Sequence, residues 1–411
     1  MEARWLLLAL CATTFSLSAH SQHGNIQHVH DPVIAKDRGS YWVFSTGGTI
    51  NVRNSSNLVD WKFTGQALGE LPAWAKQHVP LAKDLWAPDI SFFNNRFHLY
   101  YSVSTFGSNR SCIGLATNKT LDPNAPGYRW EDKGMVVSSN QQDNFNAIDS
   151  NVVIDEKNTP WLSFGSFHSG IKLVRLNPNT GKPSGKLIDI ASRNGGAIEA
   201  PYIIRHGGLY YLFVSFDSCC KGAQSDYKIM IGRAKNIEGP YLAQDGKRML
   251  DGGGTLVLAS YANIRGPGHN SYISTPEGKF MAHHYYDALS NGIPKLNIRK
   301  IFWDEKGWPV VGEPVTDITQ KSFSGQDRKN ITGSWTHYVN EENGAPIEFK
   351  SDGKIGNGPA SWALKENHLE LKWPKNDGTK GLWVDKCFVG PEGNWYSGKN
   401  QQGALIRGIK K

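Results

Sequence analysis

Three acids and one histidine stand at the heads of repeated segments: Asp31 before PVIAKDRGSYWVFSTG, Asp149 before SNVVIDEKNTPWLSFGSF, Glu199 before APYIIRHGGLYYLFVSFDS, and His269 before NSYISTPEGKFMAHHYYD. A fifth segment, WAPDISFFNNRFHLYYSVSTFG, places Trp86 at the same point. Taken singly, Asp-Pro or Asp-Ser reads as an ordinary turn starter. Acids at equivalent points of a repeat are different. If the heads converge, carboxylates from separate segments face one pocket, where one group takes a proton and another gives one.

The elements that carry these heads are strand pairs. Each segment has a polar or Pro-containing head, a short strand, a turn rich in Gly, Asn or Asp, and a second strand of aromatic and β-branched residues, which is a hairpin signature. Aligning Pro32, Pro88, Asn151, Pro201 and Ser271 gives spacings of 56, 63, 50 and 70 residues. Further strand-like runs lie between, such as CIGLATN (112–118), IKLVRLN (171–177) and KIMIGRAK (228–235). Four strands per unit at a period near 60 residues predicts an all-β chain with a five-bladed β-propeller. The heads then open the inner strands beside the central channel. No long segment has a 3.6-residue period, and LPAWAKQHVPLAK (71–83) is at most a short helical turn.

The chain has 411 residues, 39% hydrophobic and 20% charged, which suits a globular protein with a core and excludes a disordered or collagen-like one. The repeat ends near residue 319. The expected organisation is a propeller over 22–318 and a small β-barrel domain over 319–411. In HLELKWP (368–374) Leu369, Leu371 and Trp373 alternate with polar residues, and SDG (351–353) and NDG (376–378) supply turns. Lys+Arg 45 against Asp+Glu 37 gives a net +8. From Gln320 onward the counts are 14 against 10, so half of the excess lies in the tail. The lysines are scattered and no nucleic-acid motif occurs, so the charge reads as surface character.

The N-terminus, MEARWLLLALCATTFSLSAHSQ, has an Arg, an apolar stretch from Trp5 to about Phe15, and small residues through Ser21. That is the pattern of a secretory signal over 1–21, too short for a membrane anchor, and it predicts a secreted or periplasmic protein with no membrane partner. Cys11 would leave with it. Cys219 and Cys220 are adjacent, and in an oxidising compartment they are expected to close a vicinal disulfide; the alternative is two free thiols in a loop. Cys112 and Cys387 are isolated, and no zinc spacing occurs.

At this point the residues resemble a family. HDPV with Asp31, LWAPDI with Trp86, NAIDSNV with Asp149, AIEAPY with Glu199 and GPGHNS with His269 look like the motifs of family-43 glycoside hydrolases. The match is nearest to the two-domain extracellular endo-α-1,5-L-arabinanases, through STFG (104–107), FDSCCKG (216–222) and LNIRKIFWDEKGWPVV (296–311). The tail, with GSWTHY, FKSDGKI and WYSGKN, looks like their lipocalin-like C-terminal domain.

The resemblance implies cleavage of α-1,5-linked L-arabinan, a pectin-associated polysaccharide, by an inverting, endo-acting monomer. By carry-over, Asp31 is the base that activates water and Glu199 the acid that protonates the leaving oxygen. Asp149 is the third carboxylate, orienting Glu199 and raising its affinity for a proton. His269 is implied as the ligand of one Ca2+ ion, mostly hydrated, in the channel. Trp86, Phe106, Gly107, Asn146, the Ala147–Ile148 backbone, Ser166 and Phe167 are implied sugar contacts, together with Asp31 and Asp149. His168 stands where many relatives carry Trp, which bears on subsite affinity and on the endo/exo balance. Two other readings stay open: an arabinofuranosidase or β-xylosidase of the same family, and a sugar-binding propeller without catalysis.

Overall fold

The computed structural model describes residues 22–319, 323, 329–340, 343–375 and 380–411. The signal segment 1–21 and the NDG turn at 376–378 lie outside the described residues.

Two-residue turns set the hairpins. Arg38–Gly39, Asn94–Asn95 and Gly207–Gly208 each have both φ angles positive. That is the type I′ geometry whose twist matches the flanking strands. Each hairpin grows into a four-stranded antiparallel blade. The first comprises Val33–Asp37, Ser40–Ser45, Asn51–Ser55 and Asp60–Gln66, and the second Trp86–Phe93, Arg96–Val103, Ser111–Asn118 and Glu131–Ser139. Asn151–Ile154, Pro160–Phe164, Ile171–Arg175 and Ile188–Ala191 form the third. The fourth runs Ile198–His206, Leu209–Phe216, Lys228–Ala234 and Thr255–Leu258, and the fifth Ile264–Thr275, Gly278–Asp287, Ile293–Trp303 and Pro309–Pro314. The expected five-bladed propeller is therefore present. The segment at 71–83 contributes one short helix, Ala73–His78.

Apolar side chains on both faces of each blade form a core at every seam. Phe44 and Val52 meet Leu99 and Val103 between the first and second blades, and Tyr100 and Leu115 meet Leu162 and Phe164 between the second and third. The seam between fifth and first blades buries Val43 and Trp61 with Phe280 and Ile298. Here the N-terminal segment acts as the clasp. His23–Gly24 adds to the outer strand of the first blade. The buried Gln22 amide reaches the carbonyls of Ile298 (3.2 Å) and Val315 (2.7 Å) and accepts the Ile298 N–H (3.1 Å) in the fifth blade.

The tail is one curled antiparallel sheet of seven strands in the spatial order Ala345–Phe349, Gly333–Val339, Leu405–Lys410, Trp395–Asn400, Leu382–Val389, His368–Pro374, Ser361–Lys365. Trp335, Phe349, Leu371 and Tyr396 fill its concave face. Among the described residues its edge strands are linked through the isolated bridges Phe349–Ile355 and Lys354–Ser361, so the small barrel domain expected takes the form of a curled half-barrel. It packs on the fifth blade, where the partly buried Glu313 lies between Arg299 (3.6 Å), Arg407 and Tyr261. Ser397 Oγ donates to the Val311 carbonyl (2.9 Å) across the same junction.

Candidate active site

The blade heads share a backbone feature. Asp31, Ala87, Asp149, Ala200 and His269 all have positive φ, at 50°, 40°, 61°, 54° and 49°. In the first and third blades this left-handed kink falls just before the inner strand, and in the second, fourth and fifth it falls at a β-bulge within it; for a non-glycine residue it costs roughly 1–2 kcal/mol. It also exposes the kinked N–H, and each such N–H is caught by a side chain of the preceding blade. Ala87 donates to Thr46 Oγ1 (2.8 Å), Asp149 to Ser102 Oγ (3.0 Å), Ala200 to Asp149 Oδ2 (3.1 Å), and His269 to Ser215 Oγ (2.9 Å). Asp31 donates to His284 Nδ1 (3.1 Å), which closes the ring. The blades are thus latched head to tail around the channel, and the latches hold Asp31, Asp149, Glu199 and His269 in one site.

Asp31 collects three donors. Its Oδ1 is 2.8 Å from His30 Nδ1 and 3.1 Å from His269 Nδ1, and Thr46 Oγ1 donates to its Oδ2 at 2.5 Å. Burial alone would raise its proton affinity, but the two imidazoles outweigh burial and hold the carboxyl well below the usual range. Asp149 goes the other way. Burial, and then the like charges of Glu199 and Asp31, push it well above the ordinary value although His269 opposes them. Glu199 is held by hydroxyls, Ser166 Oγ on Oε2 and Tyr227 Oη on Oε1, both at 2.7 Å. Asp149 reaches Glu199 through the backbone, because the Ala200 N–H it accepts belongs to the next peptide.

His269 loses proton affinity by burial and regains more from Asp31, Asp149 and Glu199, ending at about 9. The same field favours any positive charge at this ring. With Nδ1 committed to Asp31, Nε2 is the nitrogen left for a cation. Among the described residues, the His/Cys/Asp/Glu groups close enough to share an ion are His30–Cys219–Cys220 and His30–Asp31–His284, and neither includes His269. A cation at this ring would therefore have one imidazole as its side-chain ligand and would have to draw the rest of its shell from water, as a hard oxygen-seeking ion can.

The sugar-contact candidates sit around this centre. Phe106 is 81% exposed and meets Trp86 edge to face, with centroids 6.3 Å apart. Phe167 is 41% exposed, and its neighbours Ser166 and His168 lie in the same turn. Gly107 follows Phe106 with φ 76°. Asn146 Oδ1 is buried without a partner, as is Ser150 Oγ. The N–H groups of Ala147 and Ile148 are already used, donating to Ser139 Oγ (2.9 Å) and the Asn146 carbonyl (3.0 Å). Cys219 and Cys220 are joined by a disulfide at the rim, and Cys112 and Cys387 are buried thiols.

Sequence reasoning did not single out Thr46, Ser102, Ser215, His284, His30 or Tyr227. The first three share a signal that was available, since each falls next to the end of the second strand of its repeat, whereas His284 lies three residues before the end of Gly278–Asp287. Tyr227 carries none, because its contact with Glu199 depends on how separate strands fold together.

A proton-poor carboxylate and a hydroxyl-held carboxyl at the hub of a propeller define a carboxylate-pair glycoside hydrolase. Residues 26–309 match the pattern of glycosyl hydrolases family 43. The chain is 41% identical over 304 residues to the extracellular exo-α-(1→5)-L-arabinofuranosidase ArbA of Cellvibrio japonicus, covering 70% of this chain and 88% of that protein. It is 43% identical over 288 residues to extracellular endo-α-(1→5)-L-arabinanase 1 of Bacillus subtilis, covering 68% and 87%. The solved structure of Cellvibrio cellulosa α-L-arabinanase complexed with arabinohexaose superposes with a TM-score of 0.68 at 41% identity, over 70% of this chain and 96% of that one. An endo-1,5-α-L-arabinanase from Thermotoga petrophila RKU-1, at 24% identity, shares the fold over 95% of this chain and 99% of its own, with a TM-score of 0.79. The chain belongs to glycoside hydrolase family 43.

Proposed function

We propose that the protein hydrolyses α-1,5-linked L-arabinan by a single displacement with inversion, acting within the polymer. Asp31 takes a proton from the attacking water, and Glu199 gives one to the departing arabinosyl oxygen. The C–O bond to the leaving sugar breaks as the water oxygen bonds to the anomeric carbon. The observation that carries this reading is the contrast between Asp31, kept ionised by His30 and His269, and Glu199, held only by hydroxyls. Asp149 stays proton-rich and positions Glu199 through the Ala200 amide. Trp86 and Phe106 offer ring faces to furanose C–H groups.

His269 would hold one hydrated Ca2+ ion, whose charge would favour the ionised form of Asp31. Elemental analysis of the purified protein tests this, and activity that survives exhaustive chelation with no metal found overturns it. Export is part of the proposal, supported by the N-terminal pattern and by relatives named extracellular. The relatives divide between exo and endo names, so the product profile on linear arabinan decides that point. Mixed oligomers early in the reaction support the endo reading, and release of one product length from the chain end refutes it. Asp31→Ala and Glu199→Ala should each abolish turnover of arabinan while the melting transition persists. Substantial turnover by either variant removes its residue from the assigned role.

A further inference from the structure

We infer that Asp31 is the near end of a hydrogen-bond relay, Cys220 N–H to Tyr286 to His30 to Asp31, in which Tyr286 and His30 are positioning residues and the Cys219–Cys220 disulfide fixes the far end. The inference rests on the reading of Asp31 as the base.

The direction of the relay follows from its one unambiguous donor. The Cys220 amide donates to Tyr286 Oη at 2.8 Å. A lone pair of the phenol is thereby occupied, and its own proton is left for His30 or for the Ser225 hydroxyl that also bonds this oxygen. His30 Nε2 lies 2.6 Å from that oxygen. When the phenol donates there, Nε2 is the acceptor of the neutral ring and Nδ1 carries the proton. Nδ1 is the nitrogen 2.8 Å from Asp31 Oδ1. One amide thus sets the tautomer of an imidazole and aims its N–H at the base. The ring cannot easily turn away, because it stacks on His284 with centroids 3.9 Å apart and planes at 22°. His284 is fixed in turn by accepting the Asp31 N–H at 3.1 Å.

The anchoring amide is unusual in its surroundings. It is the peptide between two disulfide-bonded neighbours, so it lies inside an eight-membered ring, and Cys220 is held at φ 67°. Burial raises the Tyr286 phenol, which keeps it protonated and able to donate. Reduction would open the ring: two electrons and two protons convert the disulfide to two thiols, and a phosphine reductant leaves as its oxide, taking oxygen from water. The amide is then free to swing off Tyr286, and Cys220 Sγ, 3.7 Å from His30 Nε2, is released from the same ring.

The test uses the full chain on linear arabinan. Tyr286→Phe should lower kcat on the order of tenfold, as expected for a lost bond in a charge-assisted chain, with KM changed less than about twofold. His30→Ala should lower kcat at least as much, and His30→Asn, whose amide nitrogen overlies Nδ1, should recover part of the loss. Phosphine reduction of the wild type should lower kcat several-fold, and the same treatment of Tyr286→Phe should add little, because the two act on one chain. A Tyr286→Phe kcat within twofold of wild type, or reduction and substitution that multiply fully, overturns the relay. If Tyr286→Phe does not fold, the His30→Ala and His30→Asn pair decides, and equal losses in both refute it. Asp31→Ala separates the two levels: turnover retained there defeats the base reading itself, whereas a dead Asp31→Ala beside a normal Tyr286→Phe defeats only the relay.

Discussion

Thr46→Val isolates one of the three donors to Asp31 without changing side-chain shape. The threonine hydroxyl donates to Asp31 Oδ2 at 2.5 Å and accepts the Ala87 N–H at 2.8 Å. The first bond favours the ionised carboxylate, and bonds to charged groups contribute about 1.5–3 kcal/mol. At about 1.4 kcal/mol per pKa unit, its loss moves Asp31 up by roughly one to two units, back toward the ordinary carboxylate range. In the proposed role as base Asp31 must be ionised to take the water proton, so activity should fall as pH drops through its pKa. The acid limb of kcat/KM should therefore shift upward by about one to two pH units, with little change near neutrality. The second bond predicts a stability loss, since the orphaned Ala87 N–H costs about 1–3 kcal/mol. Asp31 has a depressed folded pKa, so its stabilising effect is present above the unfolded value and fades as pH falls through the folded one. The melting deficit should accordingly be largest near neutrality. Thr46→Ser keeps the hydroxyl and should restore both profiles. Reducing-sugar release from linear arabinan across the acid range reads the first effect, and calorimetry the second. A folded Thr46→Val enzyme with an unmoved acid limb refutes the Thr46 contribution and leaves the ionisation of Asp31 to His30 and His269 alone.

Gly268→Ala should cost activity more than tenfold and about 1–3 kcal/mol of stability. A Cβ there would stand 2.0 Å from Tyr227 Cδ1, so the ring that holds Glu199 must move; near-normal kcat in this variant would contradict that role. Asp89, buried where the second and third blades meet, has its carboxyl pushed up to about 7 by burial, against the Asn151 and Val152 donors. With a raised folded pKa, its ionisation weakens the fold progressively as pH rises from about 4 to about 7. Asp89→Asn should gain on wild type in melting temperature across that window, and a constant difference refutes the assignment. Arg407→Met leaves the partly buried Glu313 between the domains with Arg299 and Tyr261. It should destabilise the chain by about 3–5 kcal/mol in urea unfolding; a loss under about 1 kcal/mol would show that Glu313 is already satisfied without it.

The heads of the blades were visible in the sequence because chemistry and turn signals coincide there. Their register was not fully visible. Alignment on Pro32, Pro88, Asn151, Pro201 and Ser271 puts the third and fifth blades one residue out, since the kinked residue precedes Pro32, Pro88 and Pro201 but precedes Ser150 and Asn270 elsewhere. Corrected, Asp31, Asp149 and His269 occupy the kink, and Trp86 and Glu199 stand one residue before it. That offset explains why Glu199 presents its carboxyl differently from Asp31. The latching hydroxyls escaped notice because a Ser or Thr ending a strand is unremarkable until the neighbouring blade is beside it. In the tail, alternation revealed the strands, but how far the sheet closes depends on the 350–360 connection, which carries no periodic signal.

The clasp made by Gln22 to Gly24 has a consequence in time. Asp31 belongs to the first blade, yet its amide is latched by His284 and its carboxylate is bonded by His269, both from the fifth. The proposed base therefore straddles the seam between the chain's first and last blades. A chain that emerges from its N-terminus holds Asp31 early but has no competent base until some 250 further residues have been made and folded back. Hydrolysis switches on with completion of the circle, so onset of activity during refolding reports the last joint rather than the bulk of the strands.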